Sequence, residues 1–91
     1  LVEVLSEIGK NEGLSEESAK ILALETLIGS AKLLETLNND PKALRKNVTS
    51  PGGTTEAGLK ILTSKKTGLF DLLSSTINNA KQRAIYLNSS N

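Results

Sequence analysis

The chain has 91 residues, of which 37% are hydrophobic and only 2% aromatic, and its formal net charge is +1. This length suits one small domain with a thin core, and a core of Leu, Ile, Val and Ala favours helices packed on helices. Lysines scattered among glutamates argue against a nucleic-acid-binding surface, which needs clustered basic residues and usually stacking aromatic side chains. Cys and His are both absent, which excludes disulfides, thiolate or histidine catalysis and a zinc site.

The sequence contains no apolar run long enough to span a bilayer, and no signal-peptide pattern opens it. We therefore expect a soluble, cytoplasmic protein that makes no membrane contact. The sequence begins at Leu1, inside an apolar-periodic segment and without a methionine, so we also expect it to be a piece of a longer protein.

The first segment predicts an amphipathic helix. Its apolar residues recur at helical spacing and share one face: Leu1, Val4, Leu5 and Ile8. Gly13 ends this helix, because glycine suits the left-handed position after a helix and lets the next residue, Leu14, pack back.

Ser15 is the predicted N-cap of a long second helix that extends to Leu37. Its apolar positions cover more than the single stripe of a surface helix, which predicts burial on several sides. Gly29 lies in mid-helix at a cost of roughly 1 kcal/mol relative to alanine. Two explanations stay open equally: another backbone approaches closely there, or a large side chain of the same chain needs the room.

The second half of the sequence predicts three more helices and no strand. Asp40 is the expected N-cap of the first, after a break at Asn38–Asp40, and Pro41 is its first residue. A polar connection, Ser64–Gly68, separates the other two. The predicted helices are Pro41–Lys46, Thr54–Thr63 and a last helix from Leu69 through Ala84 that frays into Asn88–Asn91.

Helix packing does not explain the stretch Thr49–Thr55, with the sequence TSPGGTT, which we call the Gly-Gly loop. Adjacent glycines adopt positive φ freely and let backbone N–H groups approach a ligand, while Pro51 fixes the entry to the turn. The loop precedes a predicted helix, whose unpaired N–H groups and positive dipole end can hold an anion. An ordinary turn with Thr54 or Thr55 as the helix cap fits the local pattern equally well.

The segment Leu44–Leu59, with the sequence LRKNVTSPGGTTEAGL, closely resembles the signature of pyrroline-5-carboxylate reductases, the enzymes of the last step of proline synthesis. Similarity extends to TLIGSAK at Thr26–Lys32, to Asp40-Pro41 at the start of the third predicted helix, and to Gly68-Leu69 at the start of the last one. The resemblance implies that residues 1–91 form one all-α helical bundle, the family's C-terminal dimerisation domain. We expect three main helices and two shorter ones that form an intertwined homodimer.

Members of that family carry an N-terminal Rossmann domain that binds NADPH or NADH. The G-x-G-x-x-G pattern of such a domain does not occur in this sequence. The resemblance thus implies the C-terminal part of an oxidoreductase of amino-acid biosynthesis, inactive alone, whose cofactor is bound mainly by the missing domain. It also implies homodimers that assemble further, for example into decamers. The competing interpretation is a non-catalytic helical oligomerisation module.

The resemblance also implies roles within the Gly-Gly loop. The substrate, 1-pyrroline-5-carboxylate, would present its carboxylate to backbone N–H groups of the Gly-Gly-x-Thr segment and to a serine hydroxyl. Thr55 would also be the catalytic residue, hydrogen-bonded to the ring nitrogen, and Val48 would line the nicotinamide side. No metal is expected, and Glu56 is assigned no role. The implied substrate-binding residues are Ser50, Gly52, Gly53, Thr54 and Thr55.

Overall fold

The computed structural model describes residues 1–37 and 40–89, which contain helices and no strand. The prediction of an all-α fold is therefore confirmed. The chain divides into two compact units, residues 1–45 and 46–91, and the single-domain interpretation of residues 1–91 stays a prediction. The helices are α1 (Val2–Asn11), α2 (Glu16–Thr36), α3 (Pro41–Asn47), α4 (Thr54–Leu62) and α5 (Leu69–Ser89).

The end of α1 is closed by a glycine in the left-handed conformation, as predicted. Gly13 has φ +106° and donates its N–H to the carbonyl oxygen of Lys10 at 3.0 Å. The N–H of Leu14 reaches back to the carbonyl oxygen of Gly9, also at 3.0 Å. These two bonds form a Schellman motif, which satisfies carbonyl groups that the end of a helix otherwise leaves unpaired.

α1 packs against α2 through small residues. Ala19 and Ala23 of α2 are the buried hydrophobic residues of the described part of the chain, at 2% and 6% exposure. A Cβ built on Gly9 of α1 would lie only 3.0 Å from the Cβ of Ala19. The two helix backbones therefore approach closely at this point, and the contact leaves no room for a larger side chain.

We expect Ala19→Leu to destabilise the protein by roughly 1–3 kcal/mol, because extra methylenes in a close-packed contact force backbone shifts. Urea denaturation of the purified chain measures this as a lower midpoint. Lys20→Leu is the control, since it introduces the same side chain at the neighbouring exposed position. Equal midpoints for the two variants would show that α1 and α2 do not pack closely at Ala19.

Two predicted N-caps are confirmed by side-chain hydrogen bonds. The Oγ of Ser15 accepts the N–H of Ser18 at 3.1 Å, and Oδ1 of Asp40 accepts the N–H of Ala43 at 3.2 Å. Each satisfies one N–H group in the first turn of its helix. The predicted break before Asp40 includes Asn38 and Asn39, which lie outside the described residues.

α2 presents large apolar side chains away from its buried alanines, and they are exposed, so the predicted burial of α2 on several sides is not seen within the described residues. Within residues 1–45, apart from its chain neighbours and the backbone of α2, no atom lies within 4 Å of a Cβ built on Gly29. A large side chain of that unit therefore does not explain this glycine. The exposed apolar residues of α2 are Ile21, Leu22, Leu24, Ile28 and Leu33.

The connection between α4 and α5 is a tight turn. Lys66 has φ +73°, and the N–H of Gly68 donates to the carbonyl oxygen of Ser64 at 2.9 Å. A Cβ on Gly68 would collide with that same carbonyl oxygen. Glycine is therefore required at position 68 by the close approach of the backbone.

α5 is longer than the sequence predicts, since it continues to Ser89. The predicted fraying at Asn88 and Ser89 is wrong, and the rest of that segment, Ser90 and Asn91, lies outside the described residues. Ser89 donates its hydroxyl to the carbonyl oxygen of Ile85 at 3.0 Å. Extending an existing helix adds one backbone hydrogen bond per residue ordered, so polar residues can continue it without a packing contact.

α5 exposes a series of large apolar side chains, and Phe70 is 83% exposed. Leu73 and Ile77 follow at helical spacing on the same side, at 46% and 66% exposure. Among residues 1–37 and 40–89, no helix is both long enough and apolar enough to cross a membrane.

Candidate functional site

The Gly-Gly loop contains a type II β-turn formed by Ser50, Pro51, Gly52 and Gly53. The N–H of Gly53 donates to the carbonyl oxygen of Ser50 at 3.0 Å, and Gly52 has φ +73°. A type II turn needs positive φ at its third residue, which favours glycine, and proline is common at its second. The order Ser-Pro-Gly-Gly thus fixes the backbone that leads into α4.

Gly53 is the N-cap of α4, with extended backbone angles and no side-chain capping bond. The interpretation in which Thr54 or Thr55 caps the helix is therefore wrong. A Cβ built on Gly53 would lie 2.9 Å from Oγ of Ser50 and 3.1 Å from its carbonyl oxygen. The hydroxyl of Ser50 thus lies close against the N-cap residue of α4, and only glycine leaves space for it there.

The first turn of α4 offers backbone N–H groups beside this hydroxyl. The first intrahelical bond at this end runs from the N–H of Ala57 to the carbonyl oxygen of Gly53, at 3.2 Å. The N–H groups of Thr54 and Thr55 precede it, where an α-helix supplies no acceptor, and they carry the positive end of the helix dipole. Thr55 is half-buried and Thr54 is exposed. Together with Ser50 these groups have the chemistry of a carboxylate-binding site.

Glu56 makes a contact that the sequence interpretation missed. Its Oε1 accepts the backbone N–H of Gly52 at 3.0 Å. Glu56 is the third residue after the N-cap, the position from which a glutamate in a capping box reaches back over the helix start. The three-residue spacing from Gly53 to Glu56 is the sequence signal that could have revealed this contact. The N–H of Gly52 therefore has its acceptor in α4, and the N–H of Gly53 has its acceptor in the loop, at Ser50.

A groove of about 430 Å³ runs along α4 from the two glycines. Its volume lies within the range of small-molecule sites. Ser50, Thr54 and Thr55 are not among its lining residues, so the groove begins beside the predicted carboxylate site rather than enclosing it. Its lining consists of Gly52, Gly53, Glu56, Ala57, Leu59, Lys60 and Thr63.

A larger groove of about 650 Å³ lies at the start of α1 and α2 and includes Leu1, Ser6 and Lys20. It contains none of the predicted site residues, so size alone does not identify the site. Val48 is 55% exposed and does not line the groove along α4. In the part of the chain that the structure describes, no group of three or more His, Cys, Asp or Glu side chains could hold a metal ion.

Residues 1–87 match the family described as "Pyrroline-5-carboxylate reductase dimerisation". The chain is 38% identical over 84 residues to pyrroline-5-carboxylate reductase 1 of Bacillus spizizenii, a match that covers 92% of this chain and 28% of that protein. It is 41% identical over 83 residues to pyrroline-5-carboxylate reductase of Aquifex aeolicus, covering 91% of this chain and 31% of the relative. The chain is 37% identical over 87 residues to pyrroline-5-carboxylate reductase of Pseudomonas aeruginosa, a match that covers 96% of this chain and 31% of the relative.

No solved structure matches the chain significantly. The chain spans less than a third of the length of each of these three relatives. The family match nevertheless covers almost every residue and includes both the helices and the Gly-Gly loop. The chain belongs to the pyrroline-5-carboxylate reductase dimerisation family.

Proposed function

We propose that the chain is the homodimerisation and substrate-binding domain of a pyrroline-5-carboxylate reductase, which reduces 1-pyrroline-5-carboxylate to L-proline with NADPH or NADH. The family match and the names of the three relatives support this proposal. The cofactor would be bound mainly by a part of the protein outside residues 1–91, because this sequence lacks the G-x-G-x-x-G pattern. We place the enzyme in the cytoplasm, in line with the expectation from its sequence.

The observation that carries the proposal is the position of Ser50 at the start of α4. Its Oγ would lie 2.9 Å from a Cβ on Gly53, next to the first-turn N–H groups of Thr54 and Thr55. A hydroxyl and two backbone N–H groups can donate to the two oxygens of one substrate carboxylate. Hydrogen bonds to a charged acceptor are about twice as strong as neutral ones, and the helix dipole adds to them. Gly52 and Gly53 would contribute by fixing the turn.

Catalysis in this proposal rests on orientation. When bound, the nicotinamide cofactor supplies the hydride that adds to the imine carbon of the substrate. The carboxylate contacts hold the ring so that this carbon faces the cofactor, and Val48 lines the nicotinamide side. The hydroxyl of Thr55 donates a hydrogen bond to the ring nitrogen and helps a proton from water reach it, which completes the conversion of C=N to CH–NH.

The proposed partner is a second copy of this chain, in an intertwined homodimer that can assemble further, for example into a decamer. Exposed apolar side chains on α2 and α5 support it, because a face of this kind is stabilised when another helix covers it. Gly29 supports it as well, since residues 1–45 leave the space above it open to a partner's backbone. The alternative function is a helical oligomerisation module in which the Gly-Gly loop is only a turn.

Thr55→Ala in the full-length reductase is expected to lower kcat by about 100-fold, the low end of what a positioned proton-transfer group contributes. The KM for NADPH should stay nearly unchanged, because Thr55 contacts the substrate and not the cofactor. Steady-state kinetics with each substrate varied in turn measure both. Thr36→Ala is the control, since it removes a threonine hydroxyl that bonds only within α2, to the carbonyl oxygen of Lys32. Wild-type kinetics for Thr55→Ala would remove Thr55 from the site and favour the oligomerisation module.

A further inference from the structure

Resting on the proposed function, we propose that Glu56 is a positioning residue that sets the affinity for the substrate carboxylate by fixing the turn at Gly52. Glu56 does not itself donate to a carboxylate, since an ionised carboxylate only accepts hydrogen bonds. Its effect is on Gly52, whose N–H it accepts at 3.0 Å. The neighbouring groups that would bind the substrate are those of Ser50, Thr54 and Thr55.

The bonded N–H belongs to the peptide between Pro51 and Gly52, which is the central peptide of the turn. Rotation of this peptide interconverts type I and type II turns, and both types keep the bond between the first and fourth residues. The bond from Gly53 to Ser50 therefore does not by itself select the type II form. The φ of +73° at Gly52 belongs to type II, in which the N–H of the central peptide is the group that Glu56 accepts. Glu56 thus stabilises the type II turn further, beyond the preference that Pro51 and Gly52 already give to it.

The type of turn matters to the site because Ser50 is the first residue of the turn and Gly53 the last. The Oγ of Ser50 is close enough to Gly53 to exclude a Cβ there. If the central peptide flips, the backbone between Ser50 and Gly53 changes, and the distance between the serine hydroxyl and Gly53 changes with it. With Glu56 in place, the serine hydroxyl and the first-turn N–H groups of α4 are ordered before the substrate arrives. Groups ordered in advance bind more tightly, because the ligand does not have to offset the cost of ordering them.

Glu56 also brings a negative charge near a site that would bind an anion, and this charge opposes binding. The hydrogen bond and the charge therefore act in opposite directions on substrate affinity. Glu56→Gln separates them, because its amide oxygen still accepts the N–H of Gly52 while the charge is gone. Glu56→Ala removes both.

The test measures kcat and KM of the full-length reductase for the two Glu56 variants. We expect KM of Glu56→Ala for 1-pyrroline-5-carboxylate to exceed that of Glu56→Gln by about 3- to 10-fold, the equivalent of one lost hydrogen bond, with a smaller difference in kcat and none in KM for the cofactor. Glu56→Gln should have a KM at or below that of the wild type. Glu17→Ala is the matched control, because Glu17 is an exposed acid in the first turn of α2.

Each outcome decides the proposal. Equal KM values for Glu56→Ala and Glu56→Gln would overturn the role of Glu56 while leaving the reductase assignment intact, because these two uncharged variants differ in the hydrogen bond to Gly52. An equal rise in KM for Glu56→Ala and Glu17→Ala would also overturn it, since the effect would then be general. A wild-type enzyme with no turnover of 1-pyrroline-5-carboxylate would refute the proposed function, and this inference with it.

Discussion

Gly53→Ala is expected to lower kcat/KM of the full-length reductase for 1-pyrroline-5-carboxylate by about 10- to 100-fold. The added Cβ would lie 2.9 Å from Oγ of Ser50 and 3.1 Å from its carbonyl oxygen, so Ser50 has to move away from the start of α4. The substrate carboxylate then loses contacts worth about 1.5–3 kcal/mol for each hydrogen bond to a charged group. Steady-state kinetics with the substrate varied at saturating cofactor measure kcat/KM for the variant and the wild type.

Gly58→Ala is the control for this prediction, because it makes the same substitution in the same helix. Nothing lies within 4 Å of a Cβ at Gly58 in the described structure, and alanine in a helix interior is favoured over glycine by about 1 kcal/mol. Gly58→Ala should therefore keep its activity and melt at the same or a higher temperature. Comparable activity for the two variants would mean that the approach of Ser50 to Gly53 has no part in catalysis.

Ile77→Glu is expected to convert the homodimer to monomers at micromolar concentration. Ile77 is 66% exposed on α5, on the same side as Phe70 and Leu73, and this face is the proposed contact with a second copy. Burying a carboxylate there without a partner costs several kcal/mol. Light scattering coupled to size-exclusion chromatography measures the mass directly.

Asn79→Glu provides the comparison for Ile77→Glu. It introduces the same charge on the same helix, but about 200° around the helix axis from Ile77. The dimer should persist in this variant. A dimeric Ile77→Glu protein would place the subunit interface elsewhere, and a monomeric wild type would contradict the proposed homodimer.

The helix ends were predictable from sequence because they depend on local chemistry. Gly13 with Leu14, Ser15 and Asp40 each satisfy backbone groups within five residues of themselves. The all-α fold was predictable for a related reason, since helical periodicity is also a local pattern. The last turn of α5 was not predictable from the sequence, because polar residues such as Asn88 do not reveal whether a helix continues through them.

The Gly-Gly loop was only partly predictable. Its glycines indicated a positive φ, which Gly52 has, while the expected approach of backbone N–H groups to a ligand stays a prediction. The local pattern did not reveal which group approaches Gly53, because the distance to Ser50 depends on the type of turn. It also did not reveal the contact of Glu56 with Gly52, which depends on Gly53 being the N-cap of α4 rather than Thr54 or Thr55.

The most direct test of the account compares two substrates that differ only in the carboxylate. The full-length reductase is assayed with 1-pyrroline-5-carboxylate and with 1-pyrroline, as wild type and as Ser50→Ala. The wild type should strongly prefer the carboxylated substrate by kcat/KM, and Ser50→Ala should lose about tenfold of that preference, the equivalent of one hydrogen bond to a charged group. If the wild type reduces both substrates equally well, or if Ser50→Ala lowers both rates by the same factor, the Gly-Gly loop does not bind the substrate carboxylate.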